Sequence, residues 1–415
     1  MHKVIKPFRY NGSIKINSSK SIYQRCLALS CFSSSDFIIV GDSNNDDVKT
    51  AKEICKKIGL DLKKSKNNLI VSGEVLANIQ RLNVNTCESG LSLRVFGVLL
   101  TSFFENVTLN RNGSAINRKF DFSSLKDLGV TFYEKESSII LNGKLNAGTI
   151  NINKLDSSQL LTGLLITLPF LNDNSIIKCK DLVSKPYIDI TLSLLDDLGI
   201  QIKNNNYKEF IIEGNQELKR NKVIVEGDWS SAAFHLVGAA ISGSITINGL
   251  NLKSLQGDKE ILNVLEKCGT ELKIKNNSVT VIKKQLKSFS FDATQTPDLF
   301  PPLVALASCC DGISKIFGVD RLINKESNRG LTLKEEFSKL GIKISLDNKC
   351  LSIEGKSQIK GAIVDSHNDH RLAMALSVMA SVSEHSITIK NSYAVAKSYS
   401  KFYDDLNIIS DLNLS

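Results

Sequence analysis

The chain repeats itself with a period of about seventy residues. Cys55-Lys56-Lys57-Ile58-Gly59-Leu60-Asp61-Leu62 returns as Leu125–Phe132, Leu195–Ile202, Leu265–Leu272 and Phe337–Ile344, and more weakly at Tyr403–Ile408. The repeated glycine falls at 59, 129, 199, 269 and 341, and Asn407 takes the sixth place. Apolar residues one and four places before the glycine share one helix face. The glycine, or Asn407, supplies the left-handed residue that ends the helix. Apolar and polar residues then alternate, which predicts a strand. In the first five copies a polar turn and a second strand follow, as in Asn67–Val71. Each unit thus ends helix, strand, turn, strand. Such a repeat can stack as a solenoid or close into compact lobes. The mixture of helices and hairpins favours a layered α/β (α+β) fold, in two lobes of three units each. A chain of 415 residues is too long for one ordinary core, which also asks for two domains.

Composition narrows the function classes. At 42% hydrophobic and 23% charged the chain reads as soluble and globular. A formal net charge of +9 suits an acidic small substrate or a nucleic acid. No dense Lys/Arg block with interleaved aromatics is present, which argues against nucleic acid. Met1–Ser13 has no apolar core, so no signal peptide is expected. The apolar stretches Leu160–Leu171 and Leu299–Cys310 are interrupted and too short to span a membrane. Nine scattered cysteines without a Cys-x-x-Cys pair predict reduced thiols in a cytoplasmic protein, and no ligand spacing fits zinc.

Against this frame stands Asn324-Lys325-Glu326-Ser327-Asn328-Arg329, two cations flanking a carboxylate. Within one turn these groups can face a common point, gripping a phosphorylated acid while the carboxylate moves a proton. Alone, the hexapeptide reads more readily as a solvated charge cluster. Similar fragments recur. Ser18-Ser19-Lys20-Ser21 precedes an apolar helix-like run, with Arg25 one turn in. Glu88-Ser89-Gly90-Leu91 leads to Arg94, and Arg118 follows a polar loop. Ser157-Ser158-Gln159 and Ser184-Lys185-Pro186-Tyr187 also open helices, Pro186 fixing the start. Asp228 stands where the third copy gives way to the fourth, and is expected at a domain crossing. Asp298 heads the apolar run Leu299–Cys310, placed as a cap or a base. Asp369-His370-Arg371 and Lys397 complete the set; His370 on its own reads as structural. Polar and basic residues gather at helix N-termini, where the helix dipole favours anions.

Taken together, Ser19-Lys20-Ser21, Ser157-Ser158-Gln159, Leu182–Asp189, Val225–Asp228, Gln256-Gly257-Asp258, Lys325-Glu326, Asp369-His370-Arg371 and Ala396-Lys397-Ser398 resemble the 5-enolpyruvylshikimate-3-phosphate synthase family of enolpyruvyl transferases, in the family's order. The resemblance implies a two-lobed inside-out α/β barrel of six βαβαββ units, three per lobe. Residues 1–19 with 228–415 would form one lobe and 20–227 the other, with the active site in the cleft between them. It implies transfer of the enolpyruvyl group of phosphoenolpyruvate to the 5-hydroxyl of shikimate 3-phosphate, in a monomer without cofactor or metal. Lys20, Ser21, Arg25, Ser157, Ser158, Gln159, Ser184, Tyr187, Asp298 and Lys325 would contact shikimate 3-phosphate. Lys20, Gly90, Arg118, Gln159, Arg329, Arg371 and Lys397 would contact phosphoenolpyruvate. Asp298, Glu326 and Lys20 would be catalytic, Asp298 accepting the hydroxyl proton and Glu326 handling the methylene proton.

Departures from the family's pattern are Ser18 for glycine, Glu88 and Leu91 for an amide and a hydroxyl, Lys119 for proline and Asn328 for aspartate. Glu88 would add negative charge beside the phosphoenolpyruvate pocket and alter affinity for that anion and for mimics such as glyphosate. Two other readings compete. A UDP-sugar enolpyruvyl transferase would use a loop cysteine, and Arg111–Phe120 has none. A catalytically impaired anion-binding paralogue would have to retain every reacting group by accident.

Overall fold

The computed structural model describes residues 2–76, 79–152, 157–355 and 358–410. They form six small sheets, five of four strands and one of three. The chain divides into two compact units, Ser18–Val225 and Met1–Asn17 with Glu226–Ser415.

The helix Asp46–Lys57 shows how the sequence makes the repeated element. Asn45 caps it, its side chain accepting a hydrogen bond from the Val48 N–H at 3.0 Å. Asp46 and Asp47 lie in its first turn and Lys56 and Lys57 in its last, both matching the helix dipole. Val48, Ala51, Ile54 and Cys55 form its buried face. Gly59 follows at φ +105°, and the strands Asp61–Ser65 and Asn68–Ser72 make the hairpin. The other phased glycines, Gly129, Gly199, Gly269 and Gly341, all have φ between +87° and +90°.

In each unit the apolar helices are enclosed and the sheets lie outside. In Ser18–Val225 the inner helices are Lys20–Ser30, Gly90–Phe103 and Gln159–Thr167, buried over most of their lengths. Gly163 lets two of them touch, since a Cβ there would come within 3.1 Å of the Arg94 carbonyl oxygen. Around them lie three four-stranded sheets, each opening with a parallel pair: Lys222–Ile224 with Phe37–Val40, Leu82–Asn85 with Asn106–Asn110, and Thr149–Ile152 with Ser175–Cys179. The second unit encloses Trp229–Ser242, Phe300–Ala307 and His370–Met379 in the same way. The six βαβαββ units are thus organised three and three.

Four details differ from the sequence expectation. Asn407 does not end a helix in the left-handed conformation; it lies inside the helix Phe402–Ile408. In the sixth unit the N-terminal strand His2–Ile5 pairs antiparallel with Ile387–Lys390 and completes the three-stranded sheet. The outer helix of the second seventy-residue repeat, Ser123–Leu128, is a 3-10 helix. The crossings fall two residues earlier, at Asn17/Ser18 and Val225/Glu226. The reason is backbone pairing. The Ser18 N–H donates to Asp42 O and the Val225 N–H to Val40 O, whereas the Asp228 N–H donates to Asn17 O.

All nine cysteines are unpaired thiols and seven are buried. No described helix is long and apolar enough to cross a membrane. Gly269 isolates the backbone term, because a Cβ there meets only Gln285 O, at 3.4 Å, while φ is +87°. Gly269→Ala is therefore expected to lower stability by roughly 1–2 kcal/mol in urea unfolding, and Gly269→Asn by less.

Candidate active site

Arg329 begins the helix Arg329–Lys339, and its side chain is fully buried. Its guanidinium holds three carboxylates. Nε donates to Asp369 Oδ2 at 2.9 Å and Nη2 to Asp369 Oδ1 at 3.3 Å. Nη1 donates to Asp298 Oδ1 at 3.0 Å, and Nη2 to Glu326 Oε2 at 2.8 Å. Asp298 lies in the 3-10 turn Pro297–Leu299 that leads into Phe300–Ala307. Its other oxygen accepts from Arg371 Nη2 at 2.9 Å, and Lys325 Nζ lies 3.7 Å from Oδ1. Asp369 caps His370–Met379 by accepting the Arg371 N–H at 2.9 Å. Lys397 Nζ donates to Asn368 O at 2.5 Å. His367 and Asn368, just before this cap, are both left-handed, at φ +50° and +57°. Non-glycine residues rarely adopt that conformation, and they do so most often where a site demands it.

Electrostatics follow from this packing. Burial alone would raise the Asp298 pKa, but Arg371, Lys325 and Arg329 outweigh it and hold the carboxyl well below the usual range. Burial pulls Lys325 down to about 8 against the attraction of Asp298. Asp258, buried and donated to by Ser230, is pushed up to about 7, with Asp298 and Asp228 adding to the effect of burial and Arg371 opposing it. One buried carboxylate is therefore held ionised, and another is pushed toward its neutral form.

In Ser18–Val225 the sequence-predicted residues lie at the starts of helices. Lys20, first in its helix, pairs with Asp47 at 2.8 Å. Arg25 is buried and bonded internally. It donates to Ser21 O, Tyr187 O, Thr162 Oγ1 and Thr191 Oγ1 at 2.8–3.4 Å, which ties three helices together. Burial lowers its pKa to about 10. Arg94 Nη1 donates to Gln159 Oε1 at 2.8 Å, and the Gln159 N–H to Ser157 Oγ at 3.3 Å. Ser158 O accepts from Thr162, and Ser184, left-handed at φ +58°, accepts the Tyr187 N–H at its carbonyl. Gly90 leaves room for Arg118, whose Nη2 would lie 2.6 Å from a Cβ at that position. The Phe120 ring carries the guanidiniums of Arg94, Arg111 and Arg118 at 4.4–5.6 Å.

Within the second unit, then, Asp298, Lys325, Glu326, Arg329 and Arg371 form one contact network, and Lys397 reaches the segment that carries Arg371. Within Ser18–Val225, Arg94 joins Gln159, Arg118 joins Gly90, and Arg25 joins Ser21 and Tyr187. Sequence reasoning gave no role to Asp369, Asp258, Asp47 or Glu336. Glu336 is fully buried; it binds Lys339 and His367 at 2.7 Å and accepts the Asp365 N–H at 2.8 Å. The available signals were slight: an aspartate at the N-cap place before His370, and a second acid in the Asp46-Asp47 pair. The departures look different in three dimensions. Leu91 is buried in the core, Asn328 precedes the first turn of its helix without capping it, and the Glu88 carboxylate engages Ser114.

Removing one partner of a buried ion pair strands the other charge. Asp369→Asn keeps a good cap but loses one of the three carboxylates facing Arg329, and should destabilise by about 1.5–3 kcal/mol in denaturant titrations. The Asp298 contribution carries a definite sign. Its pKa is depressed by folding, so its stabilisation is complete above the unfolded value near ~3.9 and is lost as pH falls through the lower folded value. Asp298→Asn should therefore flatten the acid limb of the stability curve.

Comparison with known proteins completes the description. The family profile of EPSP synthase (3-phosphoshikimate 1-carboxyvinyltransferase) matches residues 4–406. The 3-phosphoshikimate 1-carboxyvinyltransferase of Clostridium acetobutylicum is 36% identical over 411 residues, 97% of this chain and 96% of the relative. That of Clostridium kluyveri is 35% identical over 410 residues, covering 97% and 95%. Among solved structures, EPSP synthase from Acinetobacter baumannii superposes with a TM-score of 0.83 at 20% identity, covering 99% of this chain and 98% of that one; this likeness carries the fold. With a profile match across nearly its whole length and relatives above 30% identity, the chain belongs to the EPSP synthase family.

Proposed function

We propose that this protein transfers the enolpyruvyl group of phosphoenolpyruvate to the 5-hydroxyl of shikimate 3-phosphate, with release of phosphate. The observation that carries the reading is the Asp298 carboxylate, held ionised by Arg329, Arg371 and Lys325 while Glu326 engages the same Arg329. The reaction needs two proton-handling groups. A proton adds to the methylene carbon of phosphoenolpyruvate, and the hydroxyl oxygen attacks the cation-like carbon that results. Loss of phosphate and of a methyl proton then restores the vinyl group. Asp298 takes the hydroxyl proton, and Glu326 serves the methylene carbon. A pair of carboxylates at fixed spacing can exchange acid and base roles in this way.

The low pKa of Asp298 fits this role once ligands are considered. Without ligands, its cationic neighbours suppress its basicity. Binding of phosphate and carboxylate groups by those cations weakens their pull and restores it. Arg329, Arg371 and Lys397, with Gly90, Arg118 and Gln159, are proposed to take phosphoenolpyruvate. Ser21, Ser157, Ser158, Gln159, Ser184, Tyr187 and Lys325 are proposed to take shikimate 3-phosphate, and Lys20 serves both. Arg25, already committed to Ser21 and Tyr187, acts by holding them and by its charge. The UDP-sugar reading is not favoured, because the Arg111–Phe120 loop lacks the cysteine it would need.

Phosphate release from phosphoenolpyruvate should require shikimate 3-phosphate, and growth of a host lacking this step should be restored by the gene. Asp298→Asn and Glu326→Gln should each lower kcat by about 10²–10⁴-fold. The alkaline limb of kcat/KM should fall near pH 8 as Lys325 loses its proton. Lys325→Arg should move that limb beyond pH 9, whatever its effect on the maximum; an unmoved limb would assign it to another group.

A further inference from the structure

We propose that Glu88 is a positioning residue for phosphoenolpyruvate, anchoring the turn that carries Arg118. A carboxylate at this position then strengthens binding of that anion, although its charge alone would repel it. This inference rests on the proposed function, through the assignment of Arg118 to that substrate.

Ser114 ties the turn to Glu88. Its backbone N–H donates to Glu88 Oε2 at 2.7 Å and its hydroxyl donates to the same oxygen at 2.6 Å. Both are charge-assisted hydrogen bonds, stronger than their neutral counterparts. The neighbouring backbone repeats the connection, since the Asn112 N–H donates to Cys87 O at 3.1 Å. The turn is moulded on the carboxyl group. Gly113 has φ +50°, and a Cβ there would lie 2.4 Å from the Glu88 carboxyl carbon. From this anchor, Gly113–Ala115 makes a 3-10 turn, and the Arg118 N–H donates to Ala115 O at 3.4 Å. At its other end the Arg118 guanidinium lies against Gly90, two residues beyond Glu88. Ser89, between them, caps the Gly90–Phe103 helix through the Ser92 N–H at 3.3 Å. Both ends of Arg118 are thus located by one tripeptide, Glu88-Ser89-Gly90: the backbone through Ser114 and the side chain through Gly90. A neutral or shorter side chain at position 88 would loosen the first of these.

The test is steady-state kinetics of wild type, E88Q, S114A and E88Q/S114A, with thermal midpoints recorded for each. E88Q and S114A should each raise KM for phosphoenolpyruvate by roughly 3- to 30-fold, while kcat and KM for shikimate 3-phosphate change by less than about two-fold. The double variant should fall short of the sum of the two single effects, because both weaken the same contact. Two results would overturn the inference. If E88Q tightens phosphoenolpyruvate and S114A does nothing, the charge repels and the contact is idle. If all constants fall together with the thermal midpoint, the contact is merely structural. Absence of wild-type turnover would instead count against the proposed function. Calorimetric titration of the same four proteins with phosphoenolpyruvate, shikimate 3-phosphate being present, would then decide the role of Glu88. Equal affinities, or no binding by any of them, would reject it.

Discussion

A single buried guanidinium sets the terms for the unit that contains it. Arg329 has no exposed surface, and neither has the Asp369 carboxylate it binds. An isolated charge in such a place is prohibitively unfavourable, so the guanidinium and the carboxylates around it are tolerable only together. The planar guanidinium offers donors in several directions, and here they reach carboxylates from three separate stretches: the turn before Phe300–Ala307, the segment before Arg329 itself, and the cap of His370–Met379. Lysine, with one compact ammonium, could not span them. Three helix starts are thereby fixed to one point, and the reacting carboxylates are fixed with them.

Ser18–Val225 solves the same problem with different chemistry. Arg25 also lies buried, but it is bonded to hydroxyls and carbonyls of three helices, with no carboxylate among these partners. Its positive charge is therefore not cancelled locally by a formal negative one. Helix starts contribute further partial positive charge. Ser18–Val225 thus keeps an uncancelled cation where its enclosed helices begin, while the other unit sets its cations against carboxylates. Small anionic metabolites are the ligands such helix starts suit.

The scaffold was legible in the sequence where its requirement is local. A left-handed residue at the end of a helix demands glycine at that very position, so five phased glycines announced five helix-to-hairpin turns. Asn407 misled because asparagine accepts either conformation, and here it continues the helix Phe402–Ile408. The candidate site was legible as polar fragments at helix starts, yet the partners within it were not. Asp369 and Arg329 are forty residues apart, and nothing in either motif says they will touch. Glu336 sits in the second half of an amphipathic helix and reads as a solvent-facing acid until the 365–371 segment packs on it. Glu88 was read for its charge, whereas its surroundings depend on Ser114, 26 positions away. Pairings across such separations are decided by tertiary packing, which local pattern does not encode.

The placement of the N-terminal strands has a consequence for how the chain matures on the ribosome. Ser18–Val225 is one continuous segment; even its outlying strand, Lys222–Ile224, arrives before the other unit is half made. His2–Ile5, by contrast, emerges long before Ile387–Lys390 and must wait for it to exist before it can pair. At translation rates of about 5–20 residues per second, that delay is on the order of tens of seconds. During this interval Ile5, fully buried in the finished protein, has no sheet to join. An early-made strand is thus among the last to find its place, and the unit built from two separate segments is the one most in need of protection from premature association while the nascent chain grows.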